Sequence, residues 1–496
     1  MTTTDTSPAA AAADALVSFG HVIDGVERPS VSGKVFPDVD PYTRLPWAEV
    51  ALGDAGDADL AVAAARRAFD EGPWPRMTSG ERRALLHRFA DLIVEHGEEL
   101  AMADVRDMGK PWTQAFGNDV PRTALNFRFF ADHAHLTPAE AYPMDSGHHA
   151  YTRYDPAGVV VAIAPWNFPM MLESWKVAPA LAWGNTVVLK PAEDSPASAT
   201  IMARLALEAG IPAGVFNVVH GYGPDSVGQA LTEHPDVDRI TFTGESGTGK
   251  AIMRAASAHL IPVSLELGGK GANVVFADAE LDNAIDWSIR AIFTNTGQVC
   301  LAGSRIYVQR PVFDEFVQRF TAAADAMVVG DPKDPATQIG PLSSGEHYTK
   351  VLGYFETMEA SGGTVATGAL GDGWVVRPTV ILEPRRDAPH QTEEIFGPIV
   401  TITPFDSEEE AIAEVNDSPY GLNAMLFTED LTRAHRVSAA LQVGTVWVNC
   451  FFIRDLRAPF GGQKLSGVGR EGGNFSREFF TEPKAVVMQM TRPAHH

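Results

Sequence analysis

The stretch GVVVAIAPWNFPMMLESWKVAPALAWGNTVVLKP, residues 158–191, decides the fold. Its two ends are short aliphatic and β-branched runs, and residues 170–183 between them read as a helix. Neither run alternates with polar residues, so both strands must be covered on both faces, as in a parallel sheet with crossover helices. The rhythm continues with VFNVVHG (215–221) and RITFTG (239–244) as strands and 196–209, 224–232 and 246–257 as helices. Each strand ends in Pro or Gly followed by polar residues, where a doubly wound sheet receives its ligand.

A second α/β series follows, with VSLELGG, ANVVF, RIYVQR, TVILEP, IVTITPF and GTVWVN as strands and 281–294, 311–326, 345–360 and 431–442 as helices. The boundary falls near ELGGKG, where Gly268, Gly269 and Gly271 interrupt both patterns. Upstream, 57–70 and 80–106 read as amphipathic helices packed beside the first sheet. The fold class is α/β, and 496 residues suit two or three domains.

The chain is 45% hydrophobic and 21% charged, with no run near the roughly 18 apolar residues of a membrane span. Its net charge of −24 argues against nucleic acid and membrane surfaces as partners, and an anionic small molecule would need local arginines. Two cysteines cannot form a disulfide framework, which points to free thiols at Cys300 and Cys450 and a reduced, cytoplasmic setting. MTTTDTSPAAAAADAL has no basic region and only a weak apolar run, so 1–18 reads as a disordered tail rather than a secretory signal.

NTGQVCLAG (295–303) surrounds Cys300 with residues too small to hold it as core filler and leaves room for a substrate. A thiol there is either a nucleophile or a buried structural group; Cys450, among aromatic and aliphatic neighbours, fits the structural reading. Glu266 in LELGGKG lies between Leu265 and Leu267, where it is either a general base with a raised pKa or a paired buried acid. VVLKPAED places Lys190 and Glu193 past a strand end, to grip ribose hydroxyls or to form a solvated loop. A carboxylate at that point favours NAD over NADP.

FTGESGTGKA has Gly244, Gly249 and Lys250 at the spacing of a phosphate loop, which raises a nucleotide triphosphatase as a rival. Ala251 stands where the magnesium-binding hydroxyl would be, which weakens it. The glycines still suit a dinucleotide pyrophosphate at a helix N-terminus. His148 and His149 lie at a hairpin tip and read as a solvated loop, so no metal is expected.

These pieces stand in one order: APWNFP, KPAE, FTGES, LELGGK, GQVC, EEIFGP and PFGGQKLSGVGRE. Together they resemble the aldehyde dehydrogenase superfamily from about residue 20 to the end. The resemblance implies two doubly wound parallel-sheet domains and a small β bridging element. The NAD-binding domain would take 19–133 and 157–265, the catalytic domain 266–479, and the bridge 134–156 and 480–496. In that family the tail, here AVVMQM (485–490), joins a neighbour's sheet, so a homodimer or homotetramer is expected.

By the same resemblance Cys300 attacks the aldehyde, Asn167 and the Cys300 N–H form the oxyanion hole, and Glu266 activates the water that releases a carboxylate. Lys176 and Glu471 would form a proton path. NAD would be held by Trp166, Lys190, Glu193, Gly244, Ser246, Leu267, Glu394 and Phe396, with Glu245 turned away from the pyrophosphate.

Within the superfamily FTGE, GQVCL, RDLR and DVPR, the last followed by an aromatic helix, are similar to the 2-hydroxymuconic and 2-aminomuconic semialdehyde dehydrogenases. That likeness implies a carboxylated semialdehyde bound by Arg454 and Arg122, with Arg457 nearby and Phe168, Leu172 and Trp175 lining its path. Arg454 or Arg457 could instead pair with Asp455 on the surface. Phe168 replaces the subfamily's usual leucine, and EAYPMDSGHHAYTRY is shorter than its counterpart. Neutral or amino aldehydes, and a silent scaffold protein, are the alternative readings.

Overall fold

The computed structural model describes residues 16–490. An eight-stranded sheet carries the strands of the opening stretch. Val159–Ile163 lies between Arg239–Thr243 and Thr186–Lys190, all parallel, and Val263–Glu266 and Phe216–Val218 extend the sheet on either side. The chain therefore winds outward in both directions from Val159–Ile163, and its crevice opens at the carboxyl ends of the two central strands. All five residues of Val159–Ile163 are buried, as an unalternating apolar run requires. Burying each such valine contributes about 1.5–3 kcal/mol.

The helix Pro169–Ala182 crosses from that strand to the next and is buried along most of its length. Ala55–Asp70 covers the sheet through Ala58, Ala61, Val62 and Ala65, and starts on a capping box between Asp54 and Asp57. The expected single helix over 80–106 is two, Ser79–Glu95 and Gly97–Met108, because His96 leaves helical geometry ahead of Gly97. A further helix, Val120–Leu136, packs on both Ser79–Glu95 and Pro169–Ala182.

A seven-stranded sheet forms the second layer system, in the order Thr364–Thr367, Thr379–Leu382, Ile399–Phe405, Arg305–Gln309, Ala272–Val275, Asn423–Phe427, Thr445–Val448. All its pairings are parallel except the first. Two expectations need correction here. VSLE pairs in register with Arg239–Thr243 and so closes the first sheet rather than opening the second. Asn423–Phe427 is an interior strand, next to the edge, that the sequence pattern does not announce, because NAMLF holds no β-branched residue.

The third sheet joins the hairpin Ala141–Met144 and His148–Pro156 to Thr481–Gln489, antiparallel throughout. The tail strand thus pairs with its own chain's hairpin, and among the described residues its other edge has no partner strand. His148 and His149 begin the second strand of this hairpin rather than sit at its turn. The expected N-terminal tail lies outside the described residues up to position 15. Val17–Phe19, however, is a strand parallel to Leu45–Ala51 with Phe19 buried, so the tail is shorter than 1–18.

Candidate active site

Cys300 ends a turn that few sequences would accept. Asn295, Thr296 and Gly297 adopt φ of 52°, 57° and 73°, and a β-branched threonine in that region is strained. Gly297 is needed twice over: a Cβ there would also lie 2.4 Å from the Gly397 carbonyl. The turn is held by Asn295 Nδ2, which donates to the Asn167 carbonyl at 2.7 Å, and by Asn167 Nδ2, which donates to the Gln298 carbonyl at 2.9 Å. An amide nitrogen carries two protons, so Asn167 is oriented by one and has the other to donate at the mouth of the cleft that Cys300 also lines.

Burial pushes the Cys300 thiol up to about 12, and the carboxylates of Glu394 and Glu266 add to the effect while the Arg454 guanidinium opposes it. The resting group is a thiol and needs a base. Glu266, at the end of Val263–Glu266, is buried with neither oxygen hydrogen-bonded. Burial, then the neighbouring Glu471, raise it well above the usual carboxylate range, which makes it a stronger base when ionised. Lys176 Nζ donates to Glu471 Oε1 and to Thr241 Oγ1, both at 3.0 Å, forming a buried chain beneath Glu266.

A cleft of about 710 Å³ runs from Cys300 and Asn167 across the crevice of the first sheet. Trp166, Lys190, Glu193, Gly244, Leu267, Glu394 and Phe396 line it. Phe396, held at φ 60°, meets Trp166 edge-on at 5.3 Å. Glu394 Oε1 accepts the Gly269 N–H at 2.7 Å, and a Cβ at Gly268 would lie 2.2 Å from Glu394 Oε2. Burial raises Glu394 to about 7 against the pull of that amide and of Lys350 and Lys270. The walls suit a dinucleotide: glycines where a pyrophosphate must approach, and Lys190 and Glu193 as the donor and acceptor that a ribose diol takes. Glu193 and Asp194 together oppose a 2′-phosphate.

Two residues differ from expectation. The Ser246 hydroxyl donates to the Leu465 carbonyl at 3.0 Å and does not line the cleft. Glu245, expected to turn away, is exposed and lines it, just before the helix Ser246–Ala256, whose amino end favours a carboxylate.

On the other side of Asn167 lies a second cavity of about 480 Å³. Arg122, Phe168, Leu172, Trp175 and Arg454 line it together, brought there by Val120–Leu136, Pro169–Ala182 and the loop after Thr445–Val448. The Arg454 guanidinium lies 4.6 Å from the Trp175 ring centre and 3.8 Å from that of Phe460, and its Nη2 has no hydrogen-bond partner. Burial and the neighbouring Arg122 both work against its charge. Arg457 is not part of this group. It is exposed, forms an ion pair with Asp455 Oδ2 at 2.6 Å, and so takes the surface reading, while Arg454 points inward. Cys450 packs half-exposed beside the second sheet's core and lines neither cavity.

Sequence reasoning missed several contributors. The His347 ring lies tilted against Trp166 at 5.0 Å and shares a 2.7 Å hydrogen bond with the Phe396 carbonyl; burial lowers it to about 4, so it is neutral. No motif marks it. Asn295 could have been found from the N-T-G turn signal, and Lys110 and Asp119 could not.

A cysteine facing an oxyanion donor, a buried base and a dinucleotide cleft define an oxidoreductase that works through a covalent adduct. The aldehyde dehydrogenase family model matches residues 28–486, and the chain belongs to that family. It is an NAD-dependent oxidoreductase acting on aldehydes, with the family's α/β fold. It is similar to 2-hydroxymuconic semialdehyde dehydrogenase of Pseudomonas sp. strain CF600, at 49% identity over 95% of this chain and 99% of that one. It is 46% identical to 2-aminomuconic 6-semialdehyde dehydrogenase of Pseudomonas sp., over 93% and 96%. The solved NAD+ complex of aldehyde dehydrogenase from Bacillus cereus superposes with a TM-score of 0.93 at 41% identity, over 96% and 97%. Among the described residues no helix is long and apolar enough to cross a membrane.

Proposed function

We propose that the chain oxidises a semialdehyde carrying a carboxylate at its far end, of the 2-hydroxymuconic or 2-aminomuconic type. The observation that carries this is Arg454: a guanidinium turned into an apolar cavity beside Arg122, with Nη2 unpartnered. Leaving such a donor unsatisfied costs about 1–3 kcal/mol or more, and a substrate carboxylate restores it through charge-assisted bonds. Neutral aldehydes give that cavity no use for two cations.

Cys300 Sγ adds to the aldehyde carbon and its proton passes to Glu266. The thiohemiacetal oxyanion is met by the free Asn167 Nδ2–H and the Cys300 N–H, each donor contributing about 3–4 kcal/mol. NAD would be held by Glu394, Lys190, Glu193 and Trp166 and would supply the hydride acceptor that oxidises this adduct to a thioester. Glu266 first passes the thiol proton to the Lys176–Glu471 chain, and its freed carboxylate then takes a proton from the water that releases the acid. A homo-oligomer built on the open edge of Thr481–Gln489 and a cytoplasmic location with both thiols reduced complete the reading.

The test compares kcat/KM for 2-hydroxymuconic semialdehyde and a neutral aldehyde of similar length, in wild type and Arg454→Ala. A lead for the carboxylated substrate that falls in the variant by about 2–5 kcal/mol, or 30- to several-thousand-fold, is expected. Equal performance of both substrates in both proteins sinks the proposal.

A further inference from the structure

Lys110 is the most deeply hidden cation near either cavity. It is fully buried at 0% exposure, and its ammonium has one hydrogen-bond partner, Asp119 Oδ2, at 2.5 Å. An ammonium has three protons to place and pays heavily for unmet hydration. Here the open side is closed by a ring: Lys110 Nζ lies 3.6 Å from the centre of Phe168. A desolvated cation that close to an aromatic face is attracted by the ring's quadrupole more strongly than an exposed one.

Each partner has a second role in the same place. Asp119 and Phe168 both line the 480 Å³ cavity, and Phe168 directly follows Asn167. Asp119 ends a π-helical turn, Ala115–Asp119, that interrupts the chain ahead of Val120–Leu136, the helix bearing Arg122. The Thr123 hydroxyl donates to the Asp119 carbonyl at 2.8 Å and ties that turn to the helix. Phe168 is otherwise packed at the edge of the second sheet's apolar core, with the Phe452 ring tilted beside it at 6.4 Å, and Lys110 is the cation that meets its face.

We infer that Lys110, anchored by Asp119, is a positioning residue that clamps the Phe168 ring and thereby sets the width of the aldehyde cavity. Asp119 supplies a fixed point on a rigid turn, Lys110 transmits it, and the ring takes one orientation. With leucine in place of Phe168 the clamp has nothing to hold, and the cavity is wider. The inference rests on the reading that this cavity admits the aldehyde.

The experiment uses two neutral aldehydes, so that Arg454 does not enter: hexanal and the broader benzaldehyde. Their kcat/KM ratio is measured in wild type, Phe168→Leu, Lys110→Met with Asp119→Asn, and all three substitutions combined. Removing both charges together strands neither member of the Lys110–Asp119 pair. Phe168→Leu is expected to raise the benzaldehyde-to-hexanal ratio about tenfold, the scale of a small change in pocket volume. The Lys110 and Asp119 pair of changes is expected to produce most of that shift alone and none on top of Phe168→Leu. A ratio unmoved by the pair in folded enzyme, or moved equally in both backgrounds, overturns the inference. A ratio unmoved by Phe168→Leu instead overturns the reading of the cavity. Should the paired variant not fold, mono-, di- and trifluorophenylalanine at position 168 keep the shape while weakening the ring's hold on a cation. A graded rise in the ratio supports the clamp, and a flat series overturns it.

Discussion

The two cavities flanking Asn167 and Phe168 are made from different materials. The larger is a product of the sheet: strand ends, glycines that let backbone come close, and carboxylates such as Glu193, Glu245 and Glu394. The smaller is a product of side chains: rings at Phe168, Trp175 and Phe451, with Arg122 and Arg454 set among them. Lys190 and Lys350 stand among the carboxylates of the larger cleft, while Arg122 and Arg454 are set in the smaller. On the function proposed above, the difference separates what the enzyme does from what it does it to: strand ends carry the general chemistry, and helix faces and a loop carry the selection.

Breaking the shared chemistry should cost most. Cys300→Ala is expected to lower kcat by about 10⁴-fold or more. Calorimetric titration should show NAD binding intact, because the cleft's walls are untouched. Turnover persisting in that variant would remove Cys300 as nucleophile. Glu266→Gln comes next, with a loss of about 10²–10⁴-fold in the hydrolytic half-reaction. Because burial and Glu471 raise the Glu266 pKa, kcat should fall as pH drops through a value above the ordinary carboxylate range. That acidic limb should vanish in the glutamine variant, and its survival there would assign the ionisation elsewhere. Smallest is Arg457→Ala. An exposed, solvent-screened pair contributes little, so selectivity between charged and neutral aldehydes should change less than twofold. A large change there, with none from Arg454→Ala, would reverse the assignment of the two arginines.

The same division governs what could be read beforehand. The residues of the cleft occur in short motifs because each strand end supplies several at once: Trp166 and Asn167 after one strand, Lys190 and Glu193 after the next. Gly244 and Glu245 were legible as a turn, but their rotation was not. Which of Glu245 and Ser246 faces the ligand depends on a carbonyl at Leu465, far along the chain. The cavity's residues come from segments near 122, 168, 175 and 454, whose meeting depends on how Val120–Leu136 packs on Pro169–Ala182. Arg454 and Arg457 are three residues apart and equally basic; only the Asp455 turn decides that one goes inward. Asn423–Phe427 escaped because its place between two parallel neighbours, not its propensity, makes it a strand.

The turn ahead of Cys300 has a bearing on inheritance. Asn295, Thr296 and Gly297 all occupy left-handed backbone, and Gly297 touches the Gly397 carbonyl, so nearly every substitution there is penalised at once. In the loop Phe451–Ile453, which borders the second cavity, Phe452 alone lies in that region, at φ 62°. Random change should thereby be filtered unevenly: the nucleophile's turn tolerates almost none, while Phe451 and Ile453 can be exchanged without backbone strain.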